Sequence, residues 1–425
     1  MGPKFCLNEK VEDNSETTLN RGSVGIRKYI TDPLFRNSLF IILASILGNA
    51  SGFVFWMIAA KIYPKENVGV ATALISSLYL VILLSGFGLG QSLIRSFPER
   101  NKGKVFGTSA IITTLFAVLF GVIFIVGVDL WAPGLHQLRQ YAFPYLLFLA
   151  TNSIVLLTGN AFIALRKTEY YLLQSLLMGS RIVFLMPLVF LGTLGIFSSL
   201  GVSFIITLIF SLLLVIKLGI RPAGMDRGFL SDAFRFSTGN HVATLFMRSP
   251  RYILPVMVLN ILGPEETAYY YVVFAISSLL FIIPDALGTS LFVEGSHGEA
   301  LKKTVLKSFF AMFLLLTPLV IILYFSAELV LELLGKDYAA GGLNLLRLMI
   351  LSSFFVGICQ IYSSIKRIQK DMKGLIFLGA LIFVLLLGLS YTFMPKLGLL
   401  GVGYAWMISH GVGSVVVAVF ARSGR

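Results

Sequence analysis

The hydrophobic positions of this chain fall into long runs separated by short polar stretches. From Ser38 onward there are twelve apolar segments, and each is about as long as the roughly 20 residues that a helix needs to cross a bilayer. This pattern predicts an all-α polytopic membrane protein with about twelve transmembrane helices. The predicted spans are 38–60, 68–91, 106–129, 142–165, 172–192, 195–216, 238–260, 268–293, 305–327, 343–365, 373–394 and 398–420.

Composition supports the same class. Hydrophobic residues make up 57% of the 425 residues and charged residues only 13%, whereas a soluble domain averages about 45–50% apolar and about 25% charged residues. A cytosolic globular enzyme is therefore excluded. The two cysteines, Cys6 and Cys359, are too few for a disulfide framework or a thiolate metal site.

The net charge of +14 is accounted for by topology. If the amino terminus is cytoplasmic, the inside connections and the two tails hold most of the Lys and Arg residues, as the positive-inside rule requires. The outside connections hold only Lys61, Lys65, Arg139, Lys336 and Lys396. The charge pattern thus predicts a multi-pass protein of the cell membrane with both termini in the cytoplasm, and no nucleic-acid partner is needed to explain it.

An internal repeat divides the chain into two six-helix lobes. With a shift of 200 residues, the segment 64–93 aligns with 264–293, and Pro64 pairs with Pro264, Glu66 with Glu266 and Gly88 with Gly288. Repeats of this kind are typical of transporters that expose a central site alternately to the two sides. The predicted organisation is a cytoplasmic tail (1–36), an N-lobe (37–217), a cytoplasmic linker (218–237) and a C-lobe (238–425).

Two stretches carry a family resemblance. They are the first hairpin, GNASGFVFWMIAAKIYPKENVGVATALISSLYLVILLSGFGLGQSLIRS (48–96), and the final GLLGVGYAWMISH (398–410). With them the chain resembles the polysaccharide-transporter branch, which includes O-antigen and related lipid-linked oligosaccharide flippases, of the multidrug, oligosaccharidyl-lipid and polysaccharide exporter superfamily. The resemblance covers about 36–421 and implies a V-shaped cavity between two six-helix lobes.

Ionisable residues inside the spans are the candidate functional groups, because a charge at mid-bilayer is costly unless it faces water or a partner. In the seventh span, His241, Arg248 and Arg251 fall within about 80° of one helical face. Pro250 and Pro255 free backbone groups nearby. These residues are predicted to line a polar cavity; the alternative is that both arginines extend to the headgroups at the inner surface.

Three further residues complete the candidate substrate site. Asp285 follows Pro284 at about the depth of Arg248 and Arg251, and a salt bridge across the hairpin is predicted for it. Such a bridge would be either a structural neutralisation or a gate or protonation switch; the remaining alternative is that Asp285 is exposed to solvent near the inner rim. Arg181, deep in the fifth span, either lines the cavity or pairs with a backbone carbonyl or polar neighbour. Asn49 in the first span lines the cavity or joins helices by hydrogen bonds.

The remaining polar residues of the spans are assigned structural places. Arg347 and Asp129, at span ends, are expected to be interfacial anchors, and His410 a hydrogen-bonded packing residue. The run Tyr269, Tyr270, Tyr271 is expected to form an interfacial aromatic belt rather than a platform for sugars.

The leading function is a flippase that moves a lipid-linked oligosaccharide or polysaccharide precursor from the cytoplasmic to the outer leaflet by alternating access. Its expected partners are a glycan on polyprenyl phosphate or pyrophosphate and membrane lipids; glycan-biosynthesis enzymes are left open. Arginine suits the phosphate because it binds it in bidentate geometry.

The alternative is a cation-coupled multidrug or metabolite exporter of the same superfamily. Its typical carboxylate in the N-lobe is missing, because Asp129 at the end of the third span is the only acid in the six predicted N-lobe spans. A membrane glycosyltransferase would need acidic catalytic residues on a large outer loop, so the chain is not expected to be an enzyme. No nucleotide-binding loop or metal cluster occurs in the sequence, and no cofactor or metal is expected.

Overall fold

The computed structural model describes residues 33–296 and 301–422. Most of the predicted tail, including Cys6, and the last three residues lie outside this part. The described part is helical and contains no strand. Its helices are α1 Pro33–Ile62, α2 Lys65–Ser85, α3 Leu89–Ser96, α4 Lys102–Val126, α5 Val128–Trp131, α6 Ala142–Ala164, α7 Thr168–Gly179, α8 Arg181–Leu185, α9 Thr193–Lys217, α10 Arg227–Arg248, α11 Pro250–Leu262, α12 Pro264–Ser296, α13 Leu301–Glu332, α14 Lys336–Ile368, α15 Met372–Leu397 and α16 Leu399–Arg422, with 3₁₀ turns at Pro133–Tyr141 and Val189–Leu191.

The prediction of a polytopic all-α membrane protein is confirmed. Within the described residues, eleven helices are long and apolar enough to cross a bilayer. The predicted span that is missing from these eleven is the fifth, 172–192, which consists of α7, α8 and a 3₁₀ turn placed end to end. The continuous helix stops at Ser180, just before the charged Arg181, and Gly192 with a φ of 56° ends the last turn. This span is therefore a broken helix whose break lies beside its only basic residue.

The two sequence halves, α1–α9 and α10–α16, contact each other mainly through α2. We call the end of the bundle with Pro64 and Gly263 the outer end and the end with residues 97–101 the inner end. Towards the outer end, α2 packs against α11 and α12. Towards the inner end, α3 packs against α10, where Asn240 Nδ2 donates to Gln91 Oε1 at 2.9 Å. In contrast to the mostly buried α2, α1 lies at the rim of the bundle with most of its surface exposed.

The connection between the halves is shorter than the predicted linker 218–237. Helix α10 already begins at Arg227, and the Asp226 side chain caps it by accepting from the Phe229 N–H at 2.8 Å. The non-helical part lies along α4, where the Ala223 N–H donates to Gly103 O at 3.1 Å. Arg100 contacts Asp226 at 3.3 Å and also pairs with Asp232. The connection is thus fixed to the amino-terminal half at the inner end.

Candidate functional site

Arg181 lies at the break in the fifth span and is held against α1. Its Nη2 is 3.2 Å from Ser51 Oγ and 3.5 Å from Gly48 O, and its Cζ lies 5.4 Å from the centre of the Phe55 ring. Gly52 leaves room for the guanidinium, since a Cβ there would be 3.2 Å from Nη2. Arg181 Nε is buried and has no hydrogen-bond partner among the described residues. The contacts of Nη2 with Gly48 O and Ser51 Oγ therefore leave the Nε–H donor of the guanidinium without a partner among the described residues.

Arg248 and Arg251 lie on either side of the junction between α10 and α11. Both are exposed, and Arg251 Cζ lies 5.6 Å from the centre of the Phe274 ring on α12. At 1.5 Å per residue, Arg251 is about 16 Å from the outer end of α11, and Arg181 is about 20 Å from the inner end of α7. Both depths fall well inside a hydrocarbon core about 30 Å thick. Each half therefore has an arginine near the middle of the membrane, and Arg347, eleven residues into α14, is at a similar depth to Arg251.

Asp285 and Arg367 belong to the group around Arg248 and Arg251. The Asp285 side chain is exposed at the surface of the bundle. Its carboxylate lies within electrostatic range of Arg251, Arg248 and Arg367. No ion pair within 4.0 Å joins it to these arginines in the described part of the chain, so the predicted salt bridge is not formed in this conformation. Three cations and one carboxylate leave the group with net positive charge.

Arg367 was missed by sequence reasoning, which assigned it to a cytoplasmic loop with Lys366, Lys370 and Lys373. In the structure it lies in the last turn of α14, within electrostatic range of Arg248 and Asp285. Lys366, by contrast, is buried and pairs with Asp371 at 2.8 Å. Nothing in the spacing of these four basic residues separates the one beside Asp285 from the others.

A chain of four aromatic rings connects Arg181 with Arg251 across the two halves. Phe55 and Trp56 on α1 are 5.3 Å apart, Trp56 and Tyr271 are 4.5 Å apart, and Tyr271 and Phe274 on α12 are 6.3 Å apart, measured between ring centres. Phe55 contacts Arg181 and Phe274 contacts Arg251. A continuous row of ring contacts therefore runs from Arg181 to Arg251, and its central contact, Trp56 to Tyr271, joins one half to the other.

Asn49 and His241 occupy different surroundings. Asn49 is exposed and precedes Trp56 by seven residues, so it lies on the face of α1 that is directed towards the other half. His241 is half-buried, its ring lies 6.0 Å from that of Phe87 near the α2–α3 junction, and its Nε2 is buried with no partner among the described residues. The structure therefore groups Arg248 and Arg251 with Asp285 and places His241 against the amino-terminal half.

Two structural assignments from the sequence are corrected. Tyr269 and Tyr270 are buried between helices, and Tyr271 packs on Trp56, so the three tyrosines do not form an aromatic belt facing lipid. Arg347 is half-buried over the Tyr324 ring at 5.4 Å, with its Nε buried and unpartnered among the described residues, instead of anchoring an interface. His410 does pack as expected, with Nδ1 2.9 Å from Trp406 O.

Comparison with known proteins agrees with the resemblance found in the sequence. No protein-family profile matches the chain. A protein of Shigella flexneri named "Putative O-antigen transporter" is 32% identical over 176 residues, which cover 38% of this chain and 42% of that protein. The chain therefore matches less than half the length of this curated relative.

Solved structures match over most of the chain. The inward closed conformation of the lipid II flippase MurJ has a TM-score of 0.71 at 15% identity, covering 90% of this chain and 87% of that one. An inward-facing multidrug resistance MATE transporter of the MOP superfamily has a TM-score of 0.67 at 16% identity, covering 90% and 98%. At such low identity the likeness defines the fold, and the chain has the fold of MOP-superfamily transporters.

Proposed function

We propose that the protein is a non-enzymatic flippase that moves a lipid-linked oligosaccharide or polysaccharide precursor from the cytoplasmic to the outer leaflet of the cell membrane. The observation that carries the proposal is the pair Arg181 and Arg251, one from each half, at mid-membrane depth. A guanidinium there requires an anionic partner or water. Arginine binds phosphate through two parallel hydrogen bonds, so a phosphate or pyrophosphate that links a glycan to its lipid fits this pair.

The surroundings of the pair favour a substrate that keeps a lipid tail. Helix α1, which holds Arg181 in place, lies at the rim of the bundle and is mostly exposed to the bilayer. Asn49 is accessible near the middle of α1, and Asp285 and Thr289 are accessible on α12 nearer the inner end. A headgroup could therefore enter between α1 and α12 while the tail stays in lipid. The printed names of the sequence relative and of MurJ, an O-antigen transporter and a lipid II flippase, agree with such a substrate.

In this proposal the two sequence halves act as lobes that move against each other, with both termini in the cytoplasm. The cation group of Arg248, Arg251 and Arg367 attracts the phosphate. Asp285 pairs with one of these arginines in one stage of the movement and releases it in another. The glycan-synthesis enzymes that would supply the substrate are candidate partners on the cytoplasmic side.

The experiment is the location of lipid-linked oligosaccharide in cells depleted of the protein, scored with an impermeant lectin or glycosidase. We expect the glycan to accumulate on the inner face and wild-type protein to reverse this. A variant with both Arg248→Ala and Arg251→Ala should fail to reverse it at normal protein levels. Arg139→Ala is the matched control, because Arg139 pairs with Asp129 at 2.6 Å on the exposed outer surface.

An unchanged leaflet distribution, in a cell without a redundant flippase, would reject the proposal. The superfamily alternative, cation-coupled export of drugs or metabolites, then predicts that the same depleted cells become more sensitive to toxic small molecules. The MATE likeness fits this alternative at the level of the fold only.

A further inference from the structure

Three tyrosines crowd the space between Arg181 and Arg251. Tyr79 comes from α2, Tyr252 from α11 and Tyr271 from α12, and each is only half-buried. The rings of Tyr79 and Tyr252 stack across the two halves with centres 5.8 Å apart and planes at 27°. Tyr271 lies within electrostatic range of Tyr79 and Tyr252, and of the guanidinium groups of Arg181 and Arg251. Five polar side chains from four helices therefore converge on one place in the middle of the membrane.

The hydroxyl groups of this cluster have unused hydrogen-bonding capacity. Tyr252 and Tyr271 make no hydrogen bond to other described residues, and the polar neighbour of the Tyr79 hydroxyl is Arg181. Among other tyrosines, Tyr63 donates to Leu185 O at 2.7 Å and Tyr145 contacts Ser77 Oγ at 3.1 Å, whereas the hydroxyls of Tyr270 and Tyr338 are buried without a partner among the described residues. The Tyr252 and Tyr271 hydroxyls, by contrast, are unpartnered among the described residues but not buried. A ligand can therefore reach them, and phenol hydroxyls can both donate to it and accept from it.

We propose that Tyr79, Tyr252 and Tyr271 form a sugar subsite that binds the first sugar residue next to the phosphate of the substrate. The inference rests on the proposed function and adds the residues that recognise the glycan. Phenol hydroxyls both donate and accept hydrogen bonds, as sugar hydroxyls do, and an aromatic ring offers an apolar face to the C–H side of a sugar ring. The two arginines on either side place the phosphate beside this sugar.

The subsite also has a mechanical consequence. Tyr79 belongs to the amino-terminal half, whereas Tyr252 and Tyr271 belong to the carboxy-terminal half. A sugar held by all three is held by both halves at once, and moving the halves apart on either side changes its contacts. The identity of the first sugar would thus affect the transport movement. Sugars farther from the phosphate would not contact Tyr79, Tyr252 or Tyr271.

The test compares two ligands on the purified full-length protein in lipid nanodiscs. The first is polyprenyl pyrophosphate, and the second is the same carrier with one N-acetylglucosamine on its pyrophosphate. Tyr79→Phe, Tyr252→Phe and Tyr271→Phe, singly and together, keep the rings and remove only the hydroxyl groups. Tyr391→Phe is the matched control, because Tyr391 is exposed on α15 away from the halves' contact.

Wild-type protein should bind the glycosylated carrier about tenfold more tightly than the bare carrier. Each Tyr→Phe change in the subsite should lower this ratio by about twofold, since a neutral hydrogen bond at the lower end of the usual range, about 0.5 kcal/mol, contributes about that much. The triple variant should bring the ratio close to one while its affinity for the bare carrier stays within about twofold of wild type.

Three results would overturn the inference. A triple variant that keeps the wild-type ratio, or that loses both ligands equally, would mean that the hydroxyls do not contact the sugar. A wild-type protein that binds the bare carrier and the glycosylated carrier equally would deny the subsite and leave the proposed function intact. Wild-type protein that binds neither carrier would reject the proposed function as well.

Discussion

Lys65 and Glu265 occupy equivalent positions in the two repeats and lie 3.9 Å apart, measured from Nζ to Oε1. Each follows the repeated proline, Pro64 or Pro264, at the outer start of a helix. Lys65 Nζ also contacts Asp337 Oδ2 at 2.9 Å and donates to the Tyr269 hydroxyl at 3.2 Å. The outer ends of the two halves are thus joined at matching positions that carry opposite charges. In the proposed transport cycle this contact separates when the site opens at the outer end.

We expect Lys65→Glu to weaken this outer contact and to slow transport, and Lys65→Glu with Glu265→Lys to recover part of the loss. Partly exposed ion pairs contribute at most about 1 kcal/mol, so the change in the closed population should be about fivefold or less. Labelling of a cysteine placed near the outer end by an impermeant reagent measures that population. If the swapped pair labels like the single variant, the two charges do not act on each other.

Gly69 permits the close approach of the same two helices. A Cβ at this position would lie 1.8 Å from Pro264 O, a backbone atom that cannot rotate away. Gly69→Ala should therefore force the outer ends of α2 and α12 apart, raise outer labelling and reduce transport more strongly than Lys65→Glu. The control is Gly388→Ala, because no atom lies within 4 Å of a Cβ there. Equal behaviour of the two alanine variants would contradict the role of the contact.

Gly52 sets the position of Arg181. Gly52→Val should push the Arg181 guanidinium away from Ser51 Oγ, because a Cβ at position 52 already comes within 3.2 Å of Nη2. We expect transport to fall several-fold with normal membrane insertion. Gly48→Val, one turn earlier on the same helix with no atom within 4 Å of its Cβ, carries the same change in helix propensity and should transport normally. A similar loss in both variants would indicate a general effect on α1.

The negative charge of Asp285 is predicted to balance part of the positive charge of the surrounding arginines. Asp285→Asn leaves Arg248, Arg251 and Arg367 uncompensated, so its transport defect should shrink when Arg248 or Arg251 is also neutralised, for example by Arg248→Gln. A double-mutant cycle on transport rates measures this coupling. Defects that simply add would show that Asp285 acts independently of these arginines in the transport cycle.

The spans could be predicted because apolar runs of bilayer length leave few alternatives, and Arg181, Arg251 and Asp285 were recognised because charges are rare inside such runs. The break at Ser180 could not be predicted from hydropathy, since Arg181 is a single charge between the apolar stretches 176–178 and 182–191. Arg367 and Lys65 were assigned to loops by charge counting, which takes no account of packing. Tyr79, Tyr252 and Tyr271 carry no signal among the many aromatic residues of the chain, and only the meeting of the two halves brings them together.

In the proposed function, Arg181 and Arg251 bind the phosphate of a lipid-linked headgroup as it crosses the membrane. The most direct measurement is the flipping of a fluorescent polyprenyl-pyrophosphate saccharide in proteoliposomes, followed by quenching from outside. Wild-type protein and Arg139→Gln should make the inner-leaflet pool accessible at the same rate. Arg181→Gln with Arg251→Gln should slow this to the rate of protein-free liposomes, whereas the wild-type rate in this double variant would contradict the account.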